Sequence, residues 1–311
     1  MGSKKKWIVP PAMQPGDRVG IAAPAGPVDA EALERGLKVL RRMGFEPVPG
    51  RHVLARSRFL AGEDAARAED LMTLFRDPGI RGIICARGGY GINRVLPLLD
   101  PDVIRRHPKV VVGSSDITLL LGYLNQRCGL VAFHGPMAAG SFGCRSMPQS
   151  RRQFRQILTG APDGGLLRAP RARPLVAGRA EGRLAGGNLT LMCRSLGTPY
   201  EIDTRDSILL IEDVNEPPYR IDGMLWQMRQ AGKFDAIRGA VIGEMVKCLP
   251  PRQRWDRWTD VFMDHLGDLG APLLGNCPIG HGDEIWTLPL GRRAVLDADR
   301  RTLCLPEAAV S

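Results

Sequence analysis

The sequence predicts an α/β protein with two domains: an N-terminal Rossmann/flavodoxin-like domain built on a parallel sheet, and a smaller, mixed, β-rich C-terminal domain. Its 311 residues are too many for one typical domain. The first half alternates short apolar runs with helix-like runs, a pattern typical of a parallel sheet with helices on both faces. Beyond residue 179 the apolar runs are shorter and fewer helices separate them. We therefore place the domains at 1–150 and 179–311, with an Arg- and Pro-rich linker at 151–178.

The elements of the first half follow from apolar periodicity and from turn residues. The pattern predicts strands at 18–22, 45–48, 82–85 and 110–112, and helices at 30–43, 61–75 and 92–99, with a further long helix that ends near Leu124. In the second half we expect strands at 182–185, 207–211, 239–242 and 293–296, and one clear helix at 221–231.

Composition excludes several classes of protein. With 44% hydrophobic and 24% charged residues, the chain is globular rather than disordered. The net charge is +10, and the segment from Arg151 to Arg183 contains eight Arg against Asp163 and Glu181. Because no nucleic-acid-binding motif accompanies these arginines, we interpret them as a solvated segment and expect no nucleic-acid partner.

Cysteine spacing and the N-terminal sequence bear on redox state and location. The seven Cys are scattered singly, so we expect reduced thiols and no zinc site. Pro10 and Pro11 follow the N-terminal lysines too closely for a signal peptide, and no apolar run is long enough to span a bilayer. These features favour a cytoplasmic protein that has no membrane partner.

Two loops of the first half follow predicted strands, where open parallel sheets bind their ligands. One is the glycine loop, which we define as Arg87–Gly91 (RGGYG). It is compatible with a phosphate cradle, an oxyanion hole, or a tight turn in which glycine supplies positive φ. The loop lacks the G-x-G-x-x-G spacing of a dinucleotide fold. Its spacing alone therefore favours the turn.

The other loop, Gly113–Asp116 (GSSD), joins a strand to a helix. A serine at such a sharp turn is held above the sheet and suits a nucleophile. Ser114, Ser115 or Asp116 could instead cap the following helix, which is a common use of these residues. Ile117 stands where the nucleophile motif G-x-S-x-G has its last glycine, so the local pattern alone favours the cap.

A serine nucleophile needs a basic histidine and a carboxylate that orients it. His134 is either a core residue or a site residue, whereas His281 lies between two glycines in PIGHGD, where a core histidine is unusual. The other histidines (His52, His107 and His265) are expected at the surface. Glu212, directly after the apolar run SILLI, is a candidate carboxylate, and Glu216 competes with it.

Together these motifs resemble the LD-carboxypeptidases, also called muramoyltetrapeptide carboxypeptidases, a family of serine peptidases. The resemblance extends over nearly the whole chain. It is carried by PGDRVGIAAPAGPV, CARGGYGINRVLPLLD, VVGSSDITLLL, FHGPM, GRLAGGNLTLMCRSLGTPYEID, LLIEDVNEPPYRIDGMLWQM and PIGHGD.

The resemblance implies a Ser–Glu–His triad distributed over the two domains. The nucleophile would be Ser115, the serine directly before Asp, rather than Ser114. The carboxylate would be Glu212 rather than Glu216, and the base would be His281. Under the same resemblance, the oxyanion hole and the substrate contacts involve residues of the glycine loop and two others. The backbone N–H groups of Gly89 and Asp116 would form the hole, with Gly88 as the rival of Gly89. Arg87, Gly88, Tyr90 and Trp226 are candidate substrate contacts, and packing on a helix face is an equal alternative for Trp226.

The implied reaction is hydrolysis of the amide between an L-configured centre and a C-terminal D-amino acid. In the family, terminal D-alanine leaves a murein tetrapeptide during peptidoglycan recycling, and neither a metal nor another cofactor is needed. The resemblance also implies a homodimer.

Two alternatives compete with this reading. Members related to microcin self-immunity hydrolyse peptidyl-nucleotide toxins and need an aromatic platform, for which Trp286 is a candidate. From a different class, a non-catalytic module could hold phosphate on the glycine loop and nucleic acid on the Arg-rich segment. That module predicts salt-dependent binding and no effect of Ser115→Ala.

Overall fold

A computed structural model of the chain describes residues 7–161, 165–248 and 257–311. The chain divides into two compact units. Met1–Pro162, Trp286–Gly291 and Ala308–Ser311 form the first unit, and Asp163–Ile285 and Arg292–Glu307 form the second. Strand Leu288–Leu290 and the last residues thus belong to the first unit, a return of the chain that its sequence does not signal.

Within the described residues, the first unit contains a six-stranded sheet with its helices. Its strands are β1 (Arg18–Ala22), β2 (Glu46–Pro49), β3 (Ile80–Cys85), β4 (Val110–Gly113), β5 (Ala132–His134) and β12 (Leu288–Leu290). Its α-helices are α1 (Ala30–Arg42), α2 (Asp64–Arg76), α3 (Ile92–Val95), α4 (Pro101–Arg106), α5 (Thr118–Tyr123) and α6 (Pro148–Leu158). The strand order is β12-β5-β4-β3-β1-β2, and every pair is parallel except β12 with β5.

The second unit contains an eight-stranded mixed sheet within the same described residues. Its strands are β6 (Leu166–Arg168), β7 (Arg173–Val176), β8 (Arg179–Asn188), β9 (Ser207–Glu212), β10 (Gly239–Gly243), β11 (Leu273–Cys277), β13 (Arg293–Asp297) and β14 (Thr302–Cys304). Its helices are α7 (Leu189–Ser195), α8 (Pro218–Gln230) and α9 (Trp258–Leu266). The order is β6-β14-β13-β8-β9-β10-β11-β7, with β8 to β11 parallel and the outer strands antiparallel.

The predicted fold class is confirmed: a parallel α/β sheet in one unit and a mixed, β-rich sheet in the other. Strand β1 and helix α1 begin at the predicted residues. The long helix expected to end near Leu124 is instead a succession of turns: a 3-10 turn at Ser115–Ile117, then α5, then a π turn at Leu124–Cys128. Its apolar run carries no periodicity that could have revealed these changes.

The segment 151–178, expected to be a linker, carries regular structure at both ends. Most of α6 lies in it, with Phe154, Ile157 and Leu158 buried. Strands β6 and β7 also lie in it. The arginine-rich composition led to the prediction of a linker. Arginine is, however, equally compatible with the solvent-facing side of a helix or an edge strand. Residues 162–164 of this segment lie outside the described residues.

Each parallel array has a fully apolar centre. Strands β3 and β4 are buried at Ile83, Ile84, Val111 and Val112, and β9 is buried along its whole length. A parallel sheet covered on both faces requires such continuous apolar strands. The rigid strands position the loops that follow them, and the candidate site residues lie on those loops.

Candidate active site

In the second unit, the structure brings Glu212 and His281 together. His281 Nδ1 lies 2.7 Å from Glu212 Oε2. The Glu212 side chain is fully buried, and the His281 side chain is 22% exposed. The carboxylate accepts a hydrogen bond from Nδ1–H, which leaves Nε2 of the imidazole as a proton acceptor.

Sheet topology explains why two residues so far apart in the sequence meet. Glu212 is the last residue of β9, and His281 follows β11, with β10 between these two strands. Because β9, β10 and β11 are parallel, their carboxyl ends lie at the same edge of the sheet.

The glycines on either side of His281 are needed for close packing against two carboxylates. A Cβ on Gly280 would lie 2.2 Å from Glu212 Oε2, and φ of Gly280 is +96°. A Cβ on Gly282 would overlap Oε2 of Glu244, the residue directly after β10. A larger residue at position 280 would be strained at this φ and would push against the buried Glu212, and one at position 282 would move the end of the Glu244 side chain. Glu244 was not among the residues expected at the site, although an acid directly after the apolar strand GAVIG repeats the signal that identified Glu212.

Asp213, adjacent to Glu212, is held differently. It accepts hydrogen bonds from Asn188 Nδ2, Thr190 N, Thr190 Oγ1 and Val214 N at 2.8–3.1 Å. Burial raises the pKa of Asp213, and the neighbouring charge of Glu212 raises it further. These bonds fix the backbone immediately after Glu212.

In the first unit, Ser115 occupies the turn after β4 with φ of +60°, in the left-handed region. A non-glycine residue in that region is uncommon and often marks a functional site. Ser115 is partly exposed, whereas Ser114 is extended and only 2% exposed. Ser114 stands at the cap position but makes no side-chain cap hydrogen bond with the described residues. The capping role considered for Ser114 is therefore wrong.

Asp116 is buried, and its side chain points back to the preceding loop. Its Oδ2 accepts a hydrogen bond from the backbone N–H of Ile92 at 2.8 Å. Asp116 thus links the serine turn to the end of the glycine loop.

The glycine loop lies directly against Ser115. A Cβ on Gly88 would be 2.9 Å from Ser115 Oγ, so only glycine allows this approach. Gly88 O accepts a hydrogen bond from Gly26 N at 3.0 Å, and Gly89 has φ of +104°. The turn expected from the glycines is present, and it places backbone beside the serine. Which of Gly88 and Gly89 donates to an oxyanion stays a prediction.

The candidate substrate contacts Arg87, Tyr90 and Trp226 are exposed, whereas Trp286, the candidate nucleotide platform, is buried. Arg87 is exposed, and its Nη1 donates to Pro27 O at 2.7 Å. Tyr90 is also exposed and packs edge-on against Phe59. Trp226 is 57% exposed on α8. Trp286 is 8% exposed and offers little surface on which a nucleotide base could stack.

The other four histidines differ in burial, and two of them pair with aspartates. His134 is fully buried in β5, and His107 is exposed at the end of α4. His52 Nδ1 lies 2.9 Å from Asp70 Oδ1. His265 was expected at the surface, but it is buried and its Nε2 lies 2.8 Å from Asp222 Oδ1. That expectation was wrong because α9 packs on α8 and covers the ring.

The described residues contain neither a candidate metal cluster nor a membrane-spanning helix. No group of three or more His, Cys, Asp or Glu side chains among them could hold a metal ion. In the same residues, no helix has both the length and the apolar composition needed to cross a membrane.

Comparison with protein families agrees with this geometry. Residues 19–135 match the LD-carboxypeptidase N-terminal domain, and residues 181–296 match the LD-carboxypeptidase C-terminal domain. The chain belongs to the LD-carboxypeptidase family. It is therefore an enzyme, a serine-type carboxypeptidase of the family that acts on murein peptides.

Three relatives illustrate the range of this family. The LD-carboxypeptidase described here is 36% identical to the probable murein peptide carboxypeptidase of Bacillus subtilis over 97% of this chain and 95% of the relative. It is 35% identical to the murein tetrapeptide carboxypeptidase of Pseudomonas aeruginosa over 91% of this chain and 94% of the relative. The structure of MccF, the microcin C7 self-immunity protein, in complex with glutamyl sulfamoyl guanosine superimposes with a TM-score of 0.91 at 25% identity, covering 97% of this chain and 99% of that one.

Proposed function

We propose that this enzyme hydrolyses the amide between an L-configured centre and the terminal D-alanine of a murein tetrapeptide. The names of the Bacillus and Pseudomonas relatives support the substrate. The hydrogen bond between His281 and the buried Glu212 carries the chemical part of the proposal, because that pair is what a serine nucleophile needs as its base.

The proposed triad is Ser115, His281 and Glu212. As Ser115 Oγ attacks the scissile carbonyl carbon, its proton passes to His281 Nε2. The carbonyl π electrons move to oxygen and form a tetrahedral oxyanion. Glu212 holds the proton on Nδ1 and stabilises the imidazolium, because a buried carboxylate 2.7 Å away interacts strongly with that charge.

The backbone N–H groups of Asp116 and of Gly89 or Gly88 are proposed to stabilise the oxyanion. Removing one such donor costs about 10²–10³-fold in kcat in a well-studied case. When the oxyanion collapses, the C–N bond breaks and the nitrogen takes the proton from His281, so D-alanine leaves. Water then attacks the acyl-enzyme with His281 as base and restores the Ser115 hydroxyl.

Other parts of the proposal rest on the family resemblance. Arg87, Tyr90 and Trp226 are proposed to contact the peptide, and the exposure of all three is compatible with such contacts. We also propose a homodimer that works in the cytoplasm in peptidoglycan recycling.

The alternative substrate is a peptidyl-nucleotide. It is favoured by the likeness to MccF, whose structure has been solved in complex with glutamyl sulfamoyl guanosine. The burial of Trp286 argues against it, because stacking needs an exposed aromatic face. The two substrates are distinguished by assaying both with the same preparation.

The deciding experiment is mass spectrometry of a murein tetrapeptide incubated with the parent enzyme, Ser115→Ala and Ser114→Ala. We expect the parent and Ser114→Ala to release one alanine, and Ser115→Ala to be slower by at least about 10⁴-fold. The adjacent Ser114→Ala is the matched control, since it removes the same hydroxyl one residue earlier.

Two results would contradict the proposal. Release by Ser115→Ala at the parent rate would exclude Ser115 as the nucleophile. A parent enzyme that leaves the tetrapeptide intact but cleaves glutamyl sulfamoyl guanosine would replace the murein substrate with the peptidyl-nucleotide.

A further inference from the structure

Arg67 is an arginine buried in the interior of the first unit. It lies in the first turn of α2 and is 2% exposed. Placing a charged group in such a site costs several kcal/mol unless partners compensate. An apolar residue of similar volume would fill the same space without that cost, so the partners of Arg67 explain its presence.

The guanidinium joins two loops of the candidate active site. Its Nη1 donates to Pro24 O at 2.5 Å and to Gly91 O at 2.9 Å. Pro24 lies in the loop after β1, and Gly91 is the last residue of the glycine loop after β3. A planar fork of donors suits this task, because it holds several acceptors in fixed directions at once.

The partly exposed carboxylate of Asp64 forms an ion pair with the buried guanidinium of Arg67. Arg67 Nη2 donates to Asp64 Oδ1, and Arg94 Nε binds the same carboxylate at 2.9 and 3.0 Å. Hydrogen bonds from Arg94 and from Arg67 lower the pKa of Asp64, so the carboxylate stays ionised at neutral pH. The Arg94 side chain shares this carboxylate, and in the described residues its guanidinium is hydrogen-bonded to neither loop carbonyl; the backbone N–H of Arg94 donates to Gly91 O at 3.2 Å, a bond that a side-chain substitution keeps.

Three further contacts connect the guanidinium with the nucleophile. Gly91 has φ of +123°, and a Cβ there would lie 3.0 Å from Arg67 Nη1, so guanidinium and glycine are in close contact. The next residue, Ile92, donates its N–H to Asp116 Oδ2, and Asp116 directly follows Ser115. The opposite end of the loop is held by Gly26 N–H on Gly88 O. The loop is thus fixed on both sides of Gly89.

We propose that Arg67 is a positioning residue that holds the glycine loop in the conformation needed to stabilise the oxyanion. The inference rests on the proposed function, because it assigns the loop to the transition state of that reaction. Arg67 does not touch the substrate. It acts through Gly91, and its loss should impair a state that forms only during the reaction.

The test compares Arg67→Lys, Arg67→Met and Arg94→Met with the parent on the murein tetrapeptide. A misplacement of about 1 Å can cost about 10²-fold, so we expect Arg67→Met to lose about 10²-fold in kcat and Arg67→Lys at least about 10-fold. KM should change by less than kcat, because the contact to the oxyanion forms only in the transition state. The pH profile should keep its shape, since His281 and Glu212 are unchanged.

Arg94→Met is the matched control, because it also replaces a cation on Asp64 by an apolar residue. We expect its kcat to stay within about twofold of the parent, as surface ion pairs contribute little. Thermal unfolding of each variant shows whether it is folded at the assay temperature. If Arg67→Met does not fold, Arg67→Lys decides, because lysine keeps the charge and loses only the fork.

Three outcomes would overturn the inference. Full kcat in folded Arg67→Lys would mean that only the charge matters. An equal loss of kcat in Arg94→Met would show that the effect comes from the ion pair with Asp64 and not from the bonds to the loop carbonyls. A change in KM without a loss of kcat in the Arg67 variants would show that the residue affects substrate binding instead. If the parent itself releases no alanine, the proposed function fails and this inference fails with it.

Discussion

Adjacent residues in this protein carry carboxylates with different tasks. Glu212 ends β9 and faces His281, whereas Asp213 turns to the backbone and side chain of Thr190 and to Asn188. In a strand, successive side chains point to opposite sides, so a single residue step separates the two roles. Glu212 can thus serve the imidazole while Asp213 stabilises the turn behind it.

Because the pKa of Asp213 is raised, its contribution to the free energy of unfolding should depend on pH. A carboxyl whose pKa is higher in the folded state than the ordinary 3.8 stabilises the fold most when protonated, and this contribution is lost as pH rises through the folded value. Asp213→Asn has no such titration, and at every pH it offers one acceptor oxygen where the carboxylate has two. We therefore compare the free energy of unfolding of the parent with that of Asp213→Asn at two pH values. The parent should be more stable than the variant by a larger margin at about pH 4 than at about pH 7. Urea unfolding at several pH values measures this difference.

A pH-independent difference would contradict this prediction. Asp64→Asn provides the control with the opposite sign. Hydrogen bonds from Arg94 and Arg67 lower the pKa of Asp64, so its contribution is lost as pH falls. The stability difference between the parent and Asp64→Asn should therefore shrink on acidification rather than on neutralisation.

At the scale of elements, helix α1 supports the glycine loop through a close approach to the turn Ala138–Phe142. A Cβ on Gly36 would lie 2.1 Å from Ala138 O. In turn, the N–H groups of Ala139 and Gly140 donate to Ala86 O at 2.8 and 2.9 Å. Ala86 immediately precedes the glycine loop. Helix α1 therefore packs against the turn 138–142, and backbone hydrogen bonds connect that turn to the residue before the glycine loop.

This packing predicts an unusual response to a glycine substitution. Gly36→Ala should lower the free energy of unfolding by about 1–3 kcal/mol, because overpacking outweighs the better helix propensity of alanine. Gly223→Ala in α8 is the matched control, since a Cβ there has no atom within 4 Å. We expect it to stabilise the protein by about 0.5–1 kcal/mol. Denaturant unfolding measures both, and stabilisation by Gly36→Ala would contradict the close approach.

At the scale of the whole molecule, folding makes most of the seven cysteines inaccessible. Five are buried, Cys304 is partly buried and Cys144 is exposed. Burial raises the pKa of Cys85 to about 12 and that of Cys248 to about 11. The thiolate is the reactive form, so buried thiols with such pKa values are protected twice, by access and by protonation.

Alkylation of the native protein at about pH 8 should therefore modify Cys144 first, and Cys85 only after denaturation. Peptide mapping by mass spectrometry locates the label. In Cys144→Ser the fast phase should disappear, while the denatured variant should still label at its six remaining cysteines. Fast labelling of Cys85 in the native protein would mean that β3 is not packed as described.

The fold class and the motifs that identify the family could be predicted from the amino-acid sequence. Strand β1 could be predicted to the residue because its apolar run is bounded by turn residues, and the strand expected at 207–211 extends by only one residue, Glu212. Each local pattern around Ser115, Glu212 and His281 was ambiguous by itself, and the three were singled out by the order and spacing of many motifs that resemble one family. Short or basic elements such as β5 and α6 were missed, since three residues, or an arginine-rich helix, carry little periodic signal.

Contacts between residues far apart in the sequence could not be predicted from it. The contact of Glu212 with His281 spans 69 residues and depends on the parallel alignment of β9, β10 and β11. The burial of Arg67 could not be predicted either. An arginine on the buried face of α2, beside Leu71 and Leu74, contradicts the apolar pattern of that face. Its hydrogen bonds to Pro24 O and Gly91 O explain why it is there. The physical reason is that hydrogen bonds and desolvation act between neighbours in space, whereas sequence patterns record only neighbours along the chain.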